Sequence, residues 1–450
     1  MFSLHVIRTL LLAPFAAIRL RLLAARARRR WKESPAGGHH VLLVSWDFPP
    51  MDPTGAHVPS SFARHAVLCG WDVTVICGPC PEEPTAAGLE LAESIPPAVQ
   101  VHHAAQLPVK GFFAHPLIKK ALPAVDGGYL TAVAMTETAL RCLTQPPSVV
   151  IASGPRFSNF LAARWLSQVL GVKLVLQYRD EWTVNTPAFV QNSAEDQWQE
   201  QRCLKRADLV TFVSDGKHAL YRRSFPHLDT AKLITVPNGW EPFFHERLAS
   251  ATRHLAAAKG RFTLTYTGRW HASLVPLLDA LERLFTLHPI WAERLCVVFL
   301  GNQLAGNADL MRAFSERHPG ALLALPPVPA RTALEIQRES SALLLINDHK
   351  YDGVVPLKTY DYLCASRPIL VFGRQGGAAK IIEDVGAGLV TAVGDAIGLG
   401  RALDEFTEGP AERWNTPERK AWAMRHNRAV LVPQILRRME GLTVQAYSEI

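Results

Sequence analysis

The sequence predicts an α/β protein built as two Rossmann-like domains facing across a cleft. Three observations predict it. Short apolar runs of buried-strand type alternate with helix-compatible stretches. That alternation occurs twice, on either side of a linker-like stretch from Trp240 to Gly260. Several runs end in loops rich in Gly, Pro or charged residues, where open parallel sheets bind ligands.

The first half opens at His40-Val-Leu-Leu-Val-Ser-Trp46, followed by the loop Asp47-Phe-Pro-Pro-Met-Asp-Pro-Thr-Gly55. Val58 to Cys69 suits a helix that Gly70 can stop, and Val73-Thr-Val-Ile76 completes a β-α-β unit. Leu130–Leu143 leads to strand Val149–Ala152, and Ser153-Gly-Pro-Arg156 leads to a helix over Asn159–Leu170. Strand Lys173–Gln177 runs into Tyr178-Arg-Asp-Glu-Trp182. A helix over Asp196–Ala207, strand Leu209–Val213 and strand Leu233–Val236 close the half before Pro237-Asn-Gly239. The second half begins with strand Phe262–Tyr266 and Thr267-Gly-Arg269. It continues with helix Leu274–Leu287 and strands Cys296–Leu300, Ala342–Ile346 and Pro368–Phe372. Glu412 to Glu440 reads as helical. The expected domains are therefore 39–240 and 261–410, flanked by a basic segment 1–34 and a helical segment 411–450.

Composition agrees with two packed domains. The 450 residues are 48% hydrophobic and 20% charged, and domains run to roughly 100–200 residues each. The net charge of +8 is concentrated: Arg8, Arg19, Arg21, Arg26, Arg28, Arg29, Arg30 and Lys32 precede the first acid, Glu33. The remainder is close to neutral, so the charge does not argue for a nucleic-acid partner. Seven scattered cysteines do not form a disulfide framework, which favours a reducing cytoplasm. Cys77-Gly-Pro-Cys80 follows a strand where a turn belongs, and no second Cys-x-x-Cys completes a zinc site.

Residues 1–31 carry apolar side chains at helical spacing: Leu4, Ile7, Leu11, Phe15, Ile18 and Leu22. Arg8, Arg19 and Arg26 project from nearly one side of that helix. The longest uncharged stretch, Thr9 to Ile18, is ten residues, whereas a bilayer span needs about 20. A basic amphipathic helix in the headgroup region fits better than a signal peptide, although Pro14 is expected to interrupt it. A disordered basic arm, or a helix packed on the protein, is the other reading.

The sequence has no Walker loop, no G-x-G-x-x-G after its first strand and no His-Glu-x-x-His. The informative stretch runs from Asp348 to Ile369, joining a strand to a helix that starts near Pro356 or Leu357. Gly353 lets backbone approach a ligand. Free N–H groups at the helix start can hold a diphosphate, and Lys358 adds positive charge there. Asp361, three residues on, shares a helix face with Lys358 and can accept hydrogen bonds from sugar or ribose hydroxyls. A solvated ion pair between these two side chains is the alternative.

Pro356-Leu-Lys-Thr-Tyr-Asp-Tyr-Leu363 followed by Arg367-Pro-Ile resembles the donor signature of family-four retaining glycosyltransferases, in the branch that reads P-x-K-x-x-E-Y-L. Phe48-Pro-Pro with Gly55, Val236-Pro-Asn-Gly239, Tyr266-Thr-Gly-Arg269, Gly376-Gly377 and Glu383 to Gly388 resemble further motifs of that family, in order, from about residue 40 to 405. The resemblance implies the GT-B fold, a nucleotide-sugar donor, retention of configuration and no required metal or other cofactor. It implies that Arg269, after Gly268, and Lys358 offset diphosphate charge. Backbone at Gly353, Val354 and Val355 would approach the phosphates or sugar, and Asp361 would bind ribose. Gly55 falls in the loop near the acceptor. Beside the resemblance, Asp180 at a strand end is the candidate for contacting the acceptor hydroxyl or donor sugar, or else it caps the following turn. Arg156 is a candidate for an anionic acceptor.

The pattern departs at two places. Gly353 stands where the family's first carboxylate of E-x7-E belongs, with Asp352, Asp348 or a different geometry as compensation. Trp270-His-Ala-Ser-Leu lacks the lysine expected after the Gly-Arg pair. The expected protein is thus an enzyme that glycosylates a lipid-linked or polysaccharide acceptor in cell-envelope polysaccharide synthesis. It would sit on the inner membrane face, held by its basic helix. An epimerase of the same fold and a catalytically degenerate scaffold are the competing readings.

Overall fold

The computed structural model describes residues 4–31, 39–51, 54–105, 129–184, 194–246, 248, 254–258, 260–269, 273–302, 306–347 and 355–448, with side chains of the first helix from Ile18 on. The chain divides into two compact units, Met1–Pro237 with Leu431–Ile450, and Asn238–Val430.

In the first unit, helix α1 (Leu4–Trp31) precedes β1 (His40–Val44), α2 (Thr54–Leu68), β2 (Asp72–Cys77), α3 (Ala86–Glu93) and β3 (Gln100–His103). Then follow α4 (Tyr129–Cys142), β4 (Val149–Ser153), α5 (Ser158–Leu170), β5 (Lys173–Tyr178), α6 (Ala194–Arg206), β6 (Leu209–Phe212), α7 (Asp215–Ser224) and β7 (Leu233–Thr235). The strands form one parallel sheet in the order β3-β2-β1-β4-β5-β6-β7. Runs such as His-Val-Leu-Leu-Val and Val-Val-Ile-Ala-Ser are buried at every position. Helices cover both faces, so no residue of these strands has a solvent side to be polar on. Leu42, Val44 and Val150 face Phe160, Leu161 and Leu166 of α5. Val41, Leu43 and Val149 face Phe62 and Ala66 of α2.

The second unit holds α8 (Pro242–His245), β8 (Phe262–Thr267), α9 (Val275–Leu287), α10 (Ile290–Arg294), β9 (Leu295–Leu300), α11 (Asn307–Arg317), β10 (Leu322–Leu325), α12 (Ala330–Glu339) and β11 (Ala342–Asn347). It continues with α13 (Leu357–Cys364), β12 (Ile369–Gly373), α14 (Gly377–Asp384), β13 (Gly388–Thr391), α15 (Ala396–Thr407) and α16 (Pro417–Arg425). Its parallel sheet runs β10-β9-β8-β11-β12-β13. The last helix, α17 (Arg428–Ser448), packs Val432, Ile435, Leu436 and Met439 into the core of the first unit.

Strand order reverses between β1 and β4 in the first sheet and between β8 and β11 in the second. At such a switch point the two crossover helices leave toward opposite faces and open a crevice at the strands' carboxyl ends. The loops after β1 and β4 carry Asp47 and Arg156. The loop after β8 carries Gly268 and Arg269, and the segment after β11 leads to Lys358.

Three strands, β3, β10 and β13, lie outside the sequence expectation, and each is a sheet edge. Edge strands are short and half-exposed, so Gln-Val-His-His and Gly-Leu-Val-Thr show no apolar run. Leu-Leu-Ala-Leu is apolar, but only four residues long and followed by two prolines.

Helix α1 runs unbroken through Pro14, against expectation. Its described part packs on the first unit. Leu20, Ala24, Ala27 and Trp31 are buried with the α4 and α5 side chains. Arg30 donates to Leu140 O at 2.8 Å, and the Trp31 indole donates to Leu143 O at 3.1 Å. Arg19 pairs with Glu137 at 2.5 Å. The opposite side exposes Ile18 and Leu22, 57% and 61% accessible, beside exposed Arg21, Arg26 and Arg29. Among the described residues no helix is long and apolar enough to cross a membrane.

Candidate functional site

Lys358 stands in the first turn of α13. Pro356, at the N-cap, offers no side-chain acceptor, so among the described residues the first-turn N–H groups get no side-chain cap. The Lys358 ammonium lies 3.5 Å from the centroid of the Tyr266 ring at the end of β8. No carboxylate pairs with it among the described residues. Burial therefore pushes its pKa down to about 7.

Gly268 follows β8 with φ +97°. A Cβ there would lie 3.5 Å from Lys358 Nζ, and that backbone conformation favours glycine. The Tyr266 hydroxyl donates to Arg269 O at 3.0 Å, which fixes the turn, while the Arg269 residue is exposed. The Thr267 N–H donates to the Tyr362 hydroxyl at 2.8 Å, tying the end of β8 to α13. Gly268, Arg269 and Lys358 are thus brought together around Tyr266. Val355 is buried behind α13. Gly353 and Val354 lie outside the described residues, as do Asp348, Asp352 and His271.

Asp361 does not pair with Lys358. Its Oδ1 lies 3.7 Å from His245 Nε2, and its side chain is 32% exposed. Arg428 lies behind it, fully enclosed, with Nε donating to Asn238 O at 2.8 Å. Burial lowers the Arg428 pKa, and the charges of Glu241 and Asp361 act in the other direction.

Sequence reasoning overlooked two supports of this site. Arg419 is fully buried and donates to Tyr362 O, Leu363 O, Arg367 O and Trp414 O at 2.7–2.9 Å. It satisfies the last carbonyls of α13, where a cation also complements the helix dipole. Gly301, at the end of β9, has φ +123°, and a Cβ on it would stand 2.8 Å from Gly268 O. A glycine ending a core strand was the available signal for the second. Nothing in the sequence around Arg419 marked it as buried.

The remaining predicted residues belong to the first unit. A Cβ on Gly55 would stand 2.3 Å from Asp47 Oδ2, so glycine lets α2 start against that carboxylate. Asp47 Oδ1 lies 3.6 Å from Arg156 Nε, and the guanidinium sits 5.6 Å from the centre of the Trp46 ring. Gly55 and Arg156 thus meet at Asp47, at the switch point of the first sheet. Asp180, 40% exposed, follows β5 and pairs with Lys217 Nζ at 3.3 Å. Lys217 is buried, reaches Glu181 at 3.6 Å and donates to Arg179 O. Behind this loop Trp182 is buried, stacked 4.8 Å from Phe157, and its N–H donates to the Tyr221 hydroxyl at 3.0 Å. That hydroxyl donates to Glu200 at 2.8 Å, and burial raises the Glu200 pKa.

Cys77 is a buried free thiol pushed up to about 12 by desolvation. Its Sγ lies 3.3 Å from His103 Nδ1. Among the described residues no group of three or more His, Cys, Asp or Glu could hold a metal ion.

Residues 54–239 match the family described as Glycosyl transferase 4-like domain. No curated protein matches the chain in sequence. Among solved structures, HepE from Anabaena in complex with UDP and glucose superposes with a TM-score of 0.62 at 14% identity, covering 90% of this chain and 100% of that one. Sucrose-phosphate synthase from Thermosynechococcus elongatus superposes at 0.63 with 13% identity, over 91% and 100% of the two chains. The α,α-trehalose 6-phosphate synthase of Burkholderia multivorans gives 0.64 at 13% identity, over 92% and 98%. With its two parallel-sheet, Rossmann-like halves, the chain has the GT-B fold of glycosyltransferases.

Proposed function

We propose that the protein is a retaining glycosyltransferase that moves a sugar from a nucleotide sugar to a lipid-linked or polysaccharide acceptor in cell-envelope polysaccharide synthesis. The observation that carries this reading is Lys358: a desolvated ammonium in an uncapped helix turn, beside a backbone turn that only glycine fits comfortably. A diphosphate is the ligand such a group suits. It brings the negative charge that Lys358 lacks, and acceptors for the first-turn N–H groups. When the bond between sugar and diphosphate breaks, negative charge grows on the departing oxygen. Lys358, the α13 N–H groups and Arg269 oppose that charge without reorganising water.

In this reading Asp361 receives the ribose hydroxyls, and Val355 with the residues before it lines the phosphates and sugar. Asp180, held by Lys217, meets the acceptor hydroxyl or the donor sugar. Arg156 and the Gly55 turn face the acceptor, the arginine suited to an anionic one. No metal is required for these roles. The described part of α1 supports a peripheral location on the inner membrane face, because its Ile18 and Leu22 side is free while the other side is packed.

The test is incubation of the full-length protein with radiolabelled UDP-, GDP-, ADP- and TDP-sugars and a membrane lipid extract. Label entering the lipid or polymer fraction supports the reading. No transfer from any donor, with no nucleoside diphosphate bound, sinks it, and conversion of a donor without acceptor favours an epimerase.

A further inference from the structure

His245 ends the short helix α8, its ring edge-on to Trp240 with centroids 4.9 Å apart. Its side chain is only 7% exposed, and among the described residues Nε2 has no hydrogen-bond partner. That nitrogen points toward Asp361 and stops 3.7 Å short of Oδ1. Buried polar atoms are nearly always bonded, so an imidazole nitrogen held just short of a carboxylate needs a reason. The carboxylate is the mobile partner: it is 32% exposed, on a side chain with two rotatable bonds. Arg428, enclosed behind it, donates to Asn238 O at 2.8 Å. Its positive charge acts at that carboxylate.

We propose that His245 is the positioning residue for Asp361, completing its bond when a polyhydroxylated ligand arrives. The carboxylate turns so that one oxygen accepts the N–H of His245 Nε2. The other oxygen accepts the hydroxyl hydrogens of the ligand, the ribose diol of a nucleoside diphosphate. The inference rests on the nucleotide-sugar reading above and adds a residue to it. A free carboxylate loses rotational freedom when it binds a diol, and a fixed N–H donor lowers that loss by holding one oxygen in place. Ribose engagement and the closing of the His245 gap are then one event, and neither is fully favourable alone.

The experiment is calorimetric titration of the full-length protein with UDP, GDP, ADP and CDP, then with the 2′,3′-dideoxy form of the tightest. His245→Phe keeps a ring against Trp240 without the donor, and His245→Gln keeps a donor. His245→Phe is expected to weaken the ribose form about tenfold, the scale of one hydrogen bond to a charged group. It should leave the dideoxy form within about twofold, add nothing in an Asp361→Asn background, and be reversed by His245→Gln. Equal losses for both forms, or a full loss persisting with Asp361→Asn, would overturn the role of His245 while leaving the nucleotide reading intact. Wild-type protein that binds none of the four diphosphates defeats that reading, and the role with it. Should His245→Phe lower the thermal midpoint sharply, the ribose-to-dideoxy ratio measured with His245→Gln decides: a ratio unchanged from wild type supports the role, and a lost ratio contradicts it.

Discussion

The Lys358 ammonium rests 3.5 Å above the centre of the Tyr266 ring with burial as the dominant influence on its charge. Its pKa of about 7 lies below its ordinary 10.5, so between those values the unfolded chain holds more protons than the folded one. The cost of enclosing the charge is full below pH 7 and fades as pH rises toward 10.5. Lys358→Met should therefore raise the thermal midpoint most near pH 6.5, with the gain shrinking toward pH 9. A bound diphosphate acts oppositely and recharges the amine. Calorimetry at pH 8 in buffers of different ionisation enthalpy should show uptake approaching one proton per nucleotide, absent in Lys358→Met.

Gly55 yields a more local prediction. In Gly55→Ala the new Cβ meets Asp47 Oδ2 at 2.3 Å, so Asp47 must swing and its approach to Arg156 is lost. Alanine favours a helix by up to about 1 kcal/mol over glycine. Chemical denaturation should accordingly find stability changed by less than about 1 kcal/mol, while transfer activity falls at least about tenfold if this corner holds the acceptor. A Gly55→Ala enzyme with unchanged transfer removes the acceptor role from this corner.

The two sides of α1 predict opposite outcomes. Ile18→Asp with Leu22→Asp changes the exposed side, where nothing of the fold is lost. Sedimentation with vesicles rich in phosphatidylglycerol should show binding reduced, with the thermal midpoint unmoved. Ala24→Asp, on the buried side, should lower the midpoint by several degrees, since an unpaired carboxylate there costs on the order of 2–3 kcal/mol. Each exposed arginine adds about 1 kcal/mol to adhesion to anionic lipid, so raising salt should release the wild type.

Arg419→Ala removes the donors of four bonds at the C-terminal end of α13 and its surroundings. Stability should fall by about 3–5 kcal/mol in urea denaturation, because several buried carbonyls lose their partners together. Arg419→Lys should recover less than half, as an ammonium cannot reproduce the fork of a guanidinium.

The parallel core strands were legible in the sequence because burial on both faces leaves uninterrupted apolar runs, such as those of β1, β5 and β12. The edges β3, β10 and β13 were not, since an edge needs less apolar surface and tolerates His, Gly and Thr. Pro14 was misjudged because proline within a helix weighs against it locally, whereas packing of α1 on α4 and α5 comes from residues far along the chain. In the site, Gly268 and Lys358 were legible as a strand-end glycine and a helix-start cation. Their meeting over Tyr266 required the neighbouring places of β8 and β11 in the sheet, which no local pattern encodes. Lys358 and Asp361 share a face at i,i+3, yet the contacts of α13 with Tyr266 and His245 separate them. Arg419 and His245 act from elements remote in sequence, so neither had a local signal.

The central claim is that α13 and the turn after β8 grip the diphosphate of an activated sugar. Calorimetric titration of the full-length protein with nucleoside diphosphates tests it most directly, on wild type, Arg269→Ala and Lys358→Ala. The account predicts micromolar binding of at least one nucleotide by the wild type, lost in both variants with folding preserved. Binding that both variants retain, or no binding by the wild type, would contradict it.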